Sequence, residues 1–568
     1  MKPNVTQWLE RDPDPRTREE LQFLIEEKNF EEINERFKSR LQFGTAGLRG
    51  LMGCGPNRMN RLVIQETATG LGHYIIRNVD NACSRGIVVG YDGRFDSKQF
   101  AHDTAAVLAA LGIKVYLTRQ EAPTPVVAFG VPHFNAAGAV VVTASHNPPR
   151  YNGFKVYWEN GAQIIPPHDQ GIASEIELAA AKPIPLMSLD DAKKQGLLEW
   201  LSEEYFKAYR QAMVSSPLLA NHTNPACMTI AYTALHGVGA NTAEALLHDI
   251  GFKNVLSVAE QREPDAAFPT VEFPNPEETG AMDKVIEMAE SLKAQIACAN
   301  DPDADRFAVA ALQLNGQYKM LTGDQLGVLL GHYLLTKTDP TKQLVGNTIV
   351  SSRLLERIAL DMGAKHYKTL TGFKWLSNMA MQIESEQHQF LFAYEEAIGY
   401  TIGKQVWDKD GLFTFAVFAQ LAAETYTQNK TIWDYLEFLY RKYGLYHNEQ
   451  KSIQLQPGAP SIGDKLRQHP PTKIAGVKVT QIEDFKASLR FNIGGLTEPL
   501  PYPASDVVIY YLADQSRIII RPSGTEPKVK CYYEMVGIIS KQESYLDAMK
   551  RMELQMEKLI EAHQASLS

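Results

Sequence analysis

The chain reads as an α/β protein of several domains in series, and three observations predict this. Short apolar, β-branched runs recur, each followed by a polar loop. Ile87–Tyr91 precedes Asp92-Gly93-Arg94, Gly138–Val142 precedes Thr143-Ala144-Ser145-His146-Asn147-Pro148, and residues 296–299 precede Asp301-Pro302-Asp303-Ala304-Asp305-Arg306. Unbroken apolar runs of this kind suit strands buried in a sheet. Between the first two lies a helical stretch, residues 97–111, closed by Gly112. The length, 568 residues, exceeds a single core and suggests roughly four domains of about 150 residues each.

Taken in order, residues 17–40 are charged and predict a surface helix packed on the first domain. A glycine-rich loop with one arginine follows, Gly44-Thr45-Ala46-Gly47-Leu48-Arg49-Gly50. Strand 87–91, helix 97–111 and strand 113–117 form a β-loop-α-β unit. The strand-then-loop arrangement returns at 228–232 before Leu235-His236-Gly237-Val238-Gly239, and at 390–394 before Glu395-Glu396-Ala397-Ile398-Gly399-Tyr400. Two or three related α/β domains are therefore expected. The tail differs: Pro457-Gly458-Ala459-Pro460 and Pro470-Pro471 mark a loop-rich lead-in. A hairpin (506–512 and 516–521), a strand near 529–535 and a long helix follow. Ser540 and Glu543 suggest a capping box, and Leu546, Met549, Met552, Met556 and Leu559 an apolar stripe for core packing. This is an α+β module.

Composition bounds the function. Apolar content of 44% and charged content of 22% are those of a soluble globular enzyme, and a net charge of -9 argues against nucleic acid or an anionic membrane as partner. Cys54, Cys83, Cys227, Cys298 and Cys531 are scattered without a C-x-x-C pair, which suggests buried free thiols in a reducing compartment. The N-terminus lacks an apolar signal region and no run approaches about 18 apolar residues, so a cytoplasmic protein without a membrane span is expected.

Four loops carry chemistry. Asp301, Asp303 and Asp305 alternate, and in an extended loop alternate side chains share a face. Three carboxylates so close repel, and Mg²⁺ or Ca²⁺ would relieve the repulsion. An EF-hand is excluded, since loop positions six and twelve are Arg306 and Leu312. Arg306 suits a phosphate beside the metal, or an ion pair with the aspartates. Ser145 follows a buried strand, at the sheet edge where ligands bind. No G-x-S-x-G elbow surrounds it, so a metal-assisted phosphoserine fits better than a hydrolase nucleophile, with His146 near the phosphate or orienting the loop. Arg521-Pro522-Ser523-Gly524-Thr525 offers a guanidinium, hydroxyls and backbone N–H groups to an anion. Lys374, flanked by Phe373 and Trp375, is placed for proton transfer if partly buried.

These motifs together resemble the α-D-phosphohexomutase superfamily. The resemblance rests on 44–49, 143–148, Asn152-Gly153-Phe154-Lys155, 301–306, 395–399 and 521–527, in the family's order; residues 155–163 look most like the phosphoglucomutase branch that includes phosphopentomutase and glucose-1,6-bisphosphate synthase. It implies a heart-shaped four-domain protein with a central cleft: three related α/β domains with mixed sheets (1–204, phosphoserine; 205–320, metal; 321–447, sugar) and a C-terminal TATA-binding-protein-like α+β domain (448–568, phosphate). It implies phosphorylated Ser145, Mg²⁺ on that phosphate and on Asp301, Asp303 and Asp305, and Lys374 as general acid/base, with His146, Arg49 and Lys155 also at the reacting centre. Thr45, Arg306, Glu395 and Glu396 would bind the substrate, and Arg521, Ser523, Gly524 and Thr525 its non-reacting phosphate. The sugar loop departs from the family pattern, with Ala397-Ile398 where a serine is common, and the metal loop has Pro302 and Ala304 where glycines are common.

The implied enzyme interconverts sugar 1- and 6-phosphates through a bisphosphate, with glucose phosphates first and pentose or mannose phosphates or bisphosphate synthesis as alternatives. Glucose 1,6-bisphosphate is the implied activator, small sugar phosphates are the partners, and the protein is expected as a monomer or dimer. Two other classes stand beside it: a non-catalytic sugar-phosphate-binding protein, and a metal-dependent phosphatase, whose Asp-x-Asp-x-Thr/Val pattern is broken by Asp305.

Overall fold

The computed structural model describes residues 3–219, 228–454, 462–522 and 528–567; Cys227, residues 457–460, Ser523, Gly524 and Thr525 lie outside them. The chain divides into two compact units. One comprises Met1–Gly323, Phe373–Ile383 and Phe390–Asn429, the other Asp324–Gly372, Glu384–Gln389 and Lys430–Ser568.

In the first unit, six strands form a mixed sheet. They are β1 (Leu48–Leu51), β2 (Ile87–Tyr91), β3 (Val115–Thr118), β4 (Gly138–Val142), β5 (Tyr151–Trp158) and β6 (Leu198–Leu201), in the spatial order β1-β5-β4-β2-β3-β6. β2, β3, β4 and β6 run parallel, while β5 is antiparallel to β4 and β1. Every residue of β2 and β4 is buried, as their unbroken apolar sequences require. Because Tyr91 pairs with Val142, the loops that leave β2 and β4 emerge side by side. A second sheet holds β7 (Thr229–Thr233), β8 (Asn254–Ser257), β9 (Ile296–Asn300), β10 (Phe307–Leu312) and β11 (Tyr318–Met320), in the order β11-β10-β9-β7-β8. β7 and β9 are parallel neighbours, so the loops after them also meet.

The second unit contains the parallel pair β12 (Gln343–Thr348) and β13 (Lys365–Thr369). From Phe390 the first unit continues with the hairpin of β14 (Gln389–Glu395) and β15 (Gly399–Ile402), then helix Gly411–Thr427, mostly apolar and buried over most of its length. The second unit ends in an antiparallel sheet of β16 (Leu445–Gln454), β17 (Lys473–Ile474), β18 (Val477–Asp484), β19 (Leu489–Asn492), β20 (Thr497–Pro499), β21 (Val508–Leu512), β22 (Arg517–Pro522) and β23 (Lys528–Gly537). Helix Tyr545–Leu567 buries Met552, Met556 and Leu559 beside a core of Tyr510, Ile518, Ile520 and Cys531, an α+β layer as expected. Among the described residues no helix is long and apolar enough to cross a membrane.

Several local expectations are corrected. Residues 17–40 form two helices, Pro15–Glu26 and Phe30–Phe37, because Lys28 turns left-handed (φ 53°) and Asn29 caps the second. Helix Tyr545–Leu567 is capped by Ser544, whose Oγ accepts from Asp547 N at 3.1 Å, while Ser540 and Glu543 close a turn before it. Leu546 is exposed and leaves the apolar stripe. Cys54, Cys298 and Cys531 are buried free thiols, but Cys83 is exposed on a short surface helix.

Candidate active site

Ser145 sits at the carboxyl end of β4 with a left-handed backbone (φ 53°) and is buried. Its N–H is accepted by Thr143 Oγ1 at 2.8 Å. The loop is clamped from the neighbouring β2 loop. Arg94 donates through Nη2 to the carbonyls of Ser145 and Asn147, and through Nη1 to those of Pro148 (3.0 Å) and Tyr151 (3.2 Å). Its Nε faces Asp92 Oδ2 at 3.3 Å, and Asp92 Oδ1 accepts from Ser97 Oγ at 2.6 Å. A buried guanidinium with four carbonyl acceptors and a carboxylate fixes a loop that cannot form regular structure. Sequence reasoning placed Arg94 in a polar loop and missed this role.

Ser145 Oγ donates to Asp301 Oδ2 at 2.9 Å and lies 3.2 Å from His146 Nδ1. Burial, then Arg306 and Arg49 nearby, hold His146 well below the usual imidazole range, so it is neutral at pH 7. Asp301, Asp303 and Asp305 are all buried, and one oxygen from each lies within 4.8 Å of the others. They converge through a turn rather than an extended loop: Ala304 N donates to Asp301 O at 2.8 Å and Ala304 is left-handed (φ 55°).

The unused oxygens are informative. Asp303 Oδ2 accepts from Thr124 Oγ1 and Lys155 Nζ, both at 2.6 Å. Asp305 Oδ2 faces Lys155 Nζ at 2.8 Å and Lys409 Nζ at 3.2 Å. Asp303 Oδ1 and Asp305 Oδ1 are buried without a hydrogen-bond partner among the described residues. Unpaired buried carboxylate oxygens are costly, and a hard dication with an all-oxygen shell satisfies them. The residues present therefore fit Mg²⁺. Burial and the two neighbouring aspartates push Asp301 well above the usual carboxylate range. Against burial, Lys155 holds Asp303 low; against burial and Asp303, Lys155 and Lys409 hold Asp305 low.

Lys409, absent from the sequence-based site, is placed by its neighbours. A Cβ on Gly399 would lie 2.5 Å from Lys409 Cδ, so only glycine lets the lysine stem pass the β14–β15 turn. Asp408 Oδ1 stands 3.3 Å from Lys409 Nζ, and Asp408 Oδ2 accepts from Tyr157 Oη at 2.6 Å and Gln163 Nε2 at 2.9 Å.

The glycine-rich loop lies against β5: Gly47 is left-handed (φ 76°) and a Cβ there would stand 1.9 Å from Phe154 O. That places Thr45 to accept from Lys374 Nζ, which projects from the first turn of helix Phe373–Ile383. Asn378 of that helix donates to Gln163 O at 3.2 Å and accepts from Asn160 at 2.9 Å. Arg49 is exposed and donates to Asn147 Oδ1 at 3.0 Å. Arg306 donates to Ala397 O at 3.2 Å, which ties the metal loop to the sugar loop, where Glu395 and Glu396 are half-buried. Arg521, half-buried, is the penultimate residue of β22 in the second unit.

The chain matches four family descriptions in order: phosphoglucomutase/phosphomannomutase α/β/α domain I over residues 40–182, domain II over 203–313, domain III over 322–443 and the C-terminal domain over 478–537. It is 35% identical to the phosphopentomutase of Homo sapiens over 557 residues, covering 94% of this chain and 90% of that protein. It is 33% identical to the glucose 1,6-bisphosphate synthase of Mus musculus over 586 residues, covering 98% and 93%. Its fold matches the crystal structure of the open form of parafusin, a phosphoglucomutase from Paramecium, with a TM-score of 0.67 at 17% identity over 93% of this chain and 96% of that one.

Proposed function

The chain belongs to the phosphoglucomutase/phosphomannomutase family of α-D-phosphohexomutases and is an isomerase of the phosphotransferase type, and we propose that it moves a phosphoryl group between two hydroxyls of one sugar by way of Ser145. One observation carries this reading. Ser145 Oγ stands 2.9 Å from Asp301 beside two buried aspartate oxygens that lack hydrogen-bond partners among the described residues. A serine hydroxyl at the mouth of a dication site is placed to carry phosphate.

In the forward half-reaction the Ser145 Oγ–P bond breaks as a sugar hydroxyl oxygen bonds to phosphorus, giving a sugar bisphosphate and free Ser145. In the return half, the other phosphoryl group transfers to Ser145 Oγ and the product monophosphate leaves. Mg²⁺ held by Asp301, Asp303 and Asp305 supplies Lewis-acid polarisation of the phosphoryl oxygens when bound. Lys374, steered by Thr45, exchanges the sugar hydroxyl proton. His146 Nδ1, held neutral, faces Ser145 Oγ as its hydrogen-bond partner. Arg306 and Arg49 bind phosphate oxygens, Glu395 and Glu396 bind sugar hydroxyls, and Arg521 with Ser523, Gly524 and Thr525 grips the phosphate that does not react. Lys155 balances the aspartates rather than the reacting atoms. The division at 204, 320 and 447 assigns these roles to four domains.

Among substrates we place ribose and deoxyribose 1-phosphates first and glucose 1-phosphate second. A full-length relative named phosphopentomutase supports the pentoses, and one named for glucose 1,6-bisphosphate supports that compound as activator. A panel of α-D-ribose, deoxyribose, glucose and mannose 1-phosphates, each with and without glucose 1,6-bisphosphate, tests this. The reading expects the highest kcat/KM on a pentose phosphate; a tenfold preference for glucose 1-phosphate would reverse the order.

A further inference from the structure

Phe268 is a large apolar residue, 2% exposed, held at φ 48°. A bulky side chain in the left-handed region is unfavourable and persists only where the surroundings impose it. Its ring faces the Arg94 guanidinium, with Cζ 4.9 Å from the ring centroid. Both Nη atoms of Arg94 are already committed to the carbonyls of the Ser145 loop. The ring thus lies against the group that clamps the phosphoryl acceptor.

The segment bearing Phe268 is anchored to the loop after β7. Asp265 N donates to His236 O at 3.0 Å, and His236 Nε2 pairs with Thr270 Oγ1 at 2.7 Å. Leu235 and His236 are themselves left-handed (φ 48° and 58°). The same loop grips the metal loop: Val238 N donates to Pro302 O at 2.8 Å, and a Cβ on Gly237 would fall 2.3 Å from Pro302 Cα. One bracket, residues 234–239 with 261–271, therefore touches the metal-loop backbone and, through Phe268, the Arg94 clamp.

We infer that Phe268 is a positioning residue for phosphoryl transfer, holding Arg94 by a cation–π contact so that Ser145 Oγ and Asp301 keep their approach. A desolvated cation–π contact is strong enough to matter, and small displacements of reacting groups cost rate steeply. If Phe268 only fills space, leucine replaces it; if its ring holds the guanidinium, tyrosine replaces it and leucine does not.

The inference rests on Ser145 as the phosphoryl acceptor, so Ser145→Ala is measured in parallel. In the Mg²⁺-loaded enzyme, Phe268→Leu is expected to lower kcat about 10- to 30-fold, the rate equivalent of one buried cation–π contact. KM should stay within about twofold; the thermal midpoint should fall by a few degrees, as for any truncation of a buried ring, so kcat is read well below it. Phe268→Tyr should keep kcat within about threefold, and Phe268→Leu added to Arg94→Lys should cost no more than Arg94→Lys alone. Equal kcat for Phe268→Leu and wild type, equal losses for the leucine and tyrosine variants, or full additivity with Arg94→Lys would overturn the positioning role. An active Ser145→Ala would overturn the phosphoserine reading as well; an inactive one beside an unaffected Phe268→Leu would overturn the positioning role alone.

Discussion

Lys155→Met separates a structural from a reacting role for a buried cation of the site. Lys155 Nζ bridges Asp303 Oδ2 at 2.6 Å and Asp305 Oδ2 at 2.8 Å. Removing one partner of a buried ion pair costs about 3–5 kcal/mol, because the other charge is left uncompensated. Here the loss belongs near the lower end. Asp303 keeps Thr124 Oγ1 at 2.6 Å, and Asp305 keeps Lys409 at 3.2 Å. In chelator the variant should therefore lose about 3 kcal/mol. Mg²⁺ stabilises both proteins, each by about 2.7 kcal/mol at 100 times its Kd, and at equal Mg²⁺ it narrows the gap only through tighter binding to the variant. The more negative site should also bind Mg²⁺ more tightly than wild type. Calorimetric melting in chelator and across a Mg²⁺ series measures both effects. A variant as stable as wild type in chelator, or one that Mg²⁺ stabilises less than wild type, would refute the charge-balance argument.

Lys374→Ala should lower kcat about 100-fold, the usual scale for a group that moves a proton, without a change in the melting transition; an unchanged kcat in steady-state assays removes it from that role. Asp410 is buried at the start of helix Gly411–Thr427, where its Oδ1 accepts from Leu412 N and Phe413 N and both oxygens accept from Tyr209. Burial pushes its carboxyl up to about 6 from 3.8, only partly offset by those hydrogen bonds. The folded state then holds a proton that the unfolded state has released, so stability falls as pH rises from about 4 to about 6, by at most about 1.4 kcal/mol per pH unit. Asp410→Asn keeps the cap and should flatten that part of the wild-type melting-versus-pH curve; parallel curves for the two proteins would contradict the assignment.

The strands were legible because buried parallel strands write themselves as unbroken apolar runs, and 87–91, 138–142 and 296–300 appear within a residue of where they were expected. The metal loop was legible for its composition but not its shape, since the left-handed Ala304 that folds the aspartates together leaves no mark that alternation does not also leave. Lys409 was hidden because Asp408-Lys409-Asp410 resembles a solvated charge run. What makes room for it is Gly399, ten residues upstream, and the mostly apolar, buried helix that follows was the available signal. Arg94 and Phe268 were hidden for the same reason: a clamp built from carbonyls and a ring across two sheets has no sequence period. The charged stretch 17–40 concealed its break at Lys28 because surface helices and surface turns draw on the same polar residues.

Every step of the proposed cycle passes through a phosphoryl group on Ser145. Purified protein incubated with glucose 1,6-bisphosphate and Mg²⁺, then digested and read by peptide mass spectrometry, tests it directly. Ser145 should carry a phosphate that is lost within one turnover when the phosphoprotein is mixed with excess sugar monophosphate, with the bisphosphate appearing in equal amount. An active enzyme whose Ser145 stays unmodified, or a phosphoserine that no sugar monophosphate discharges, would contradict it.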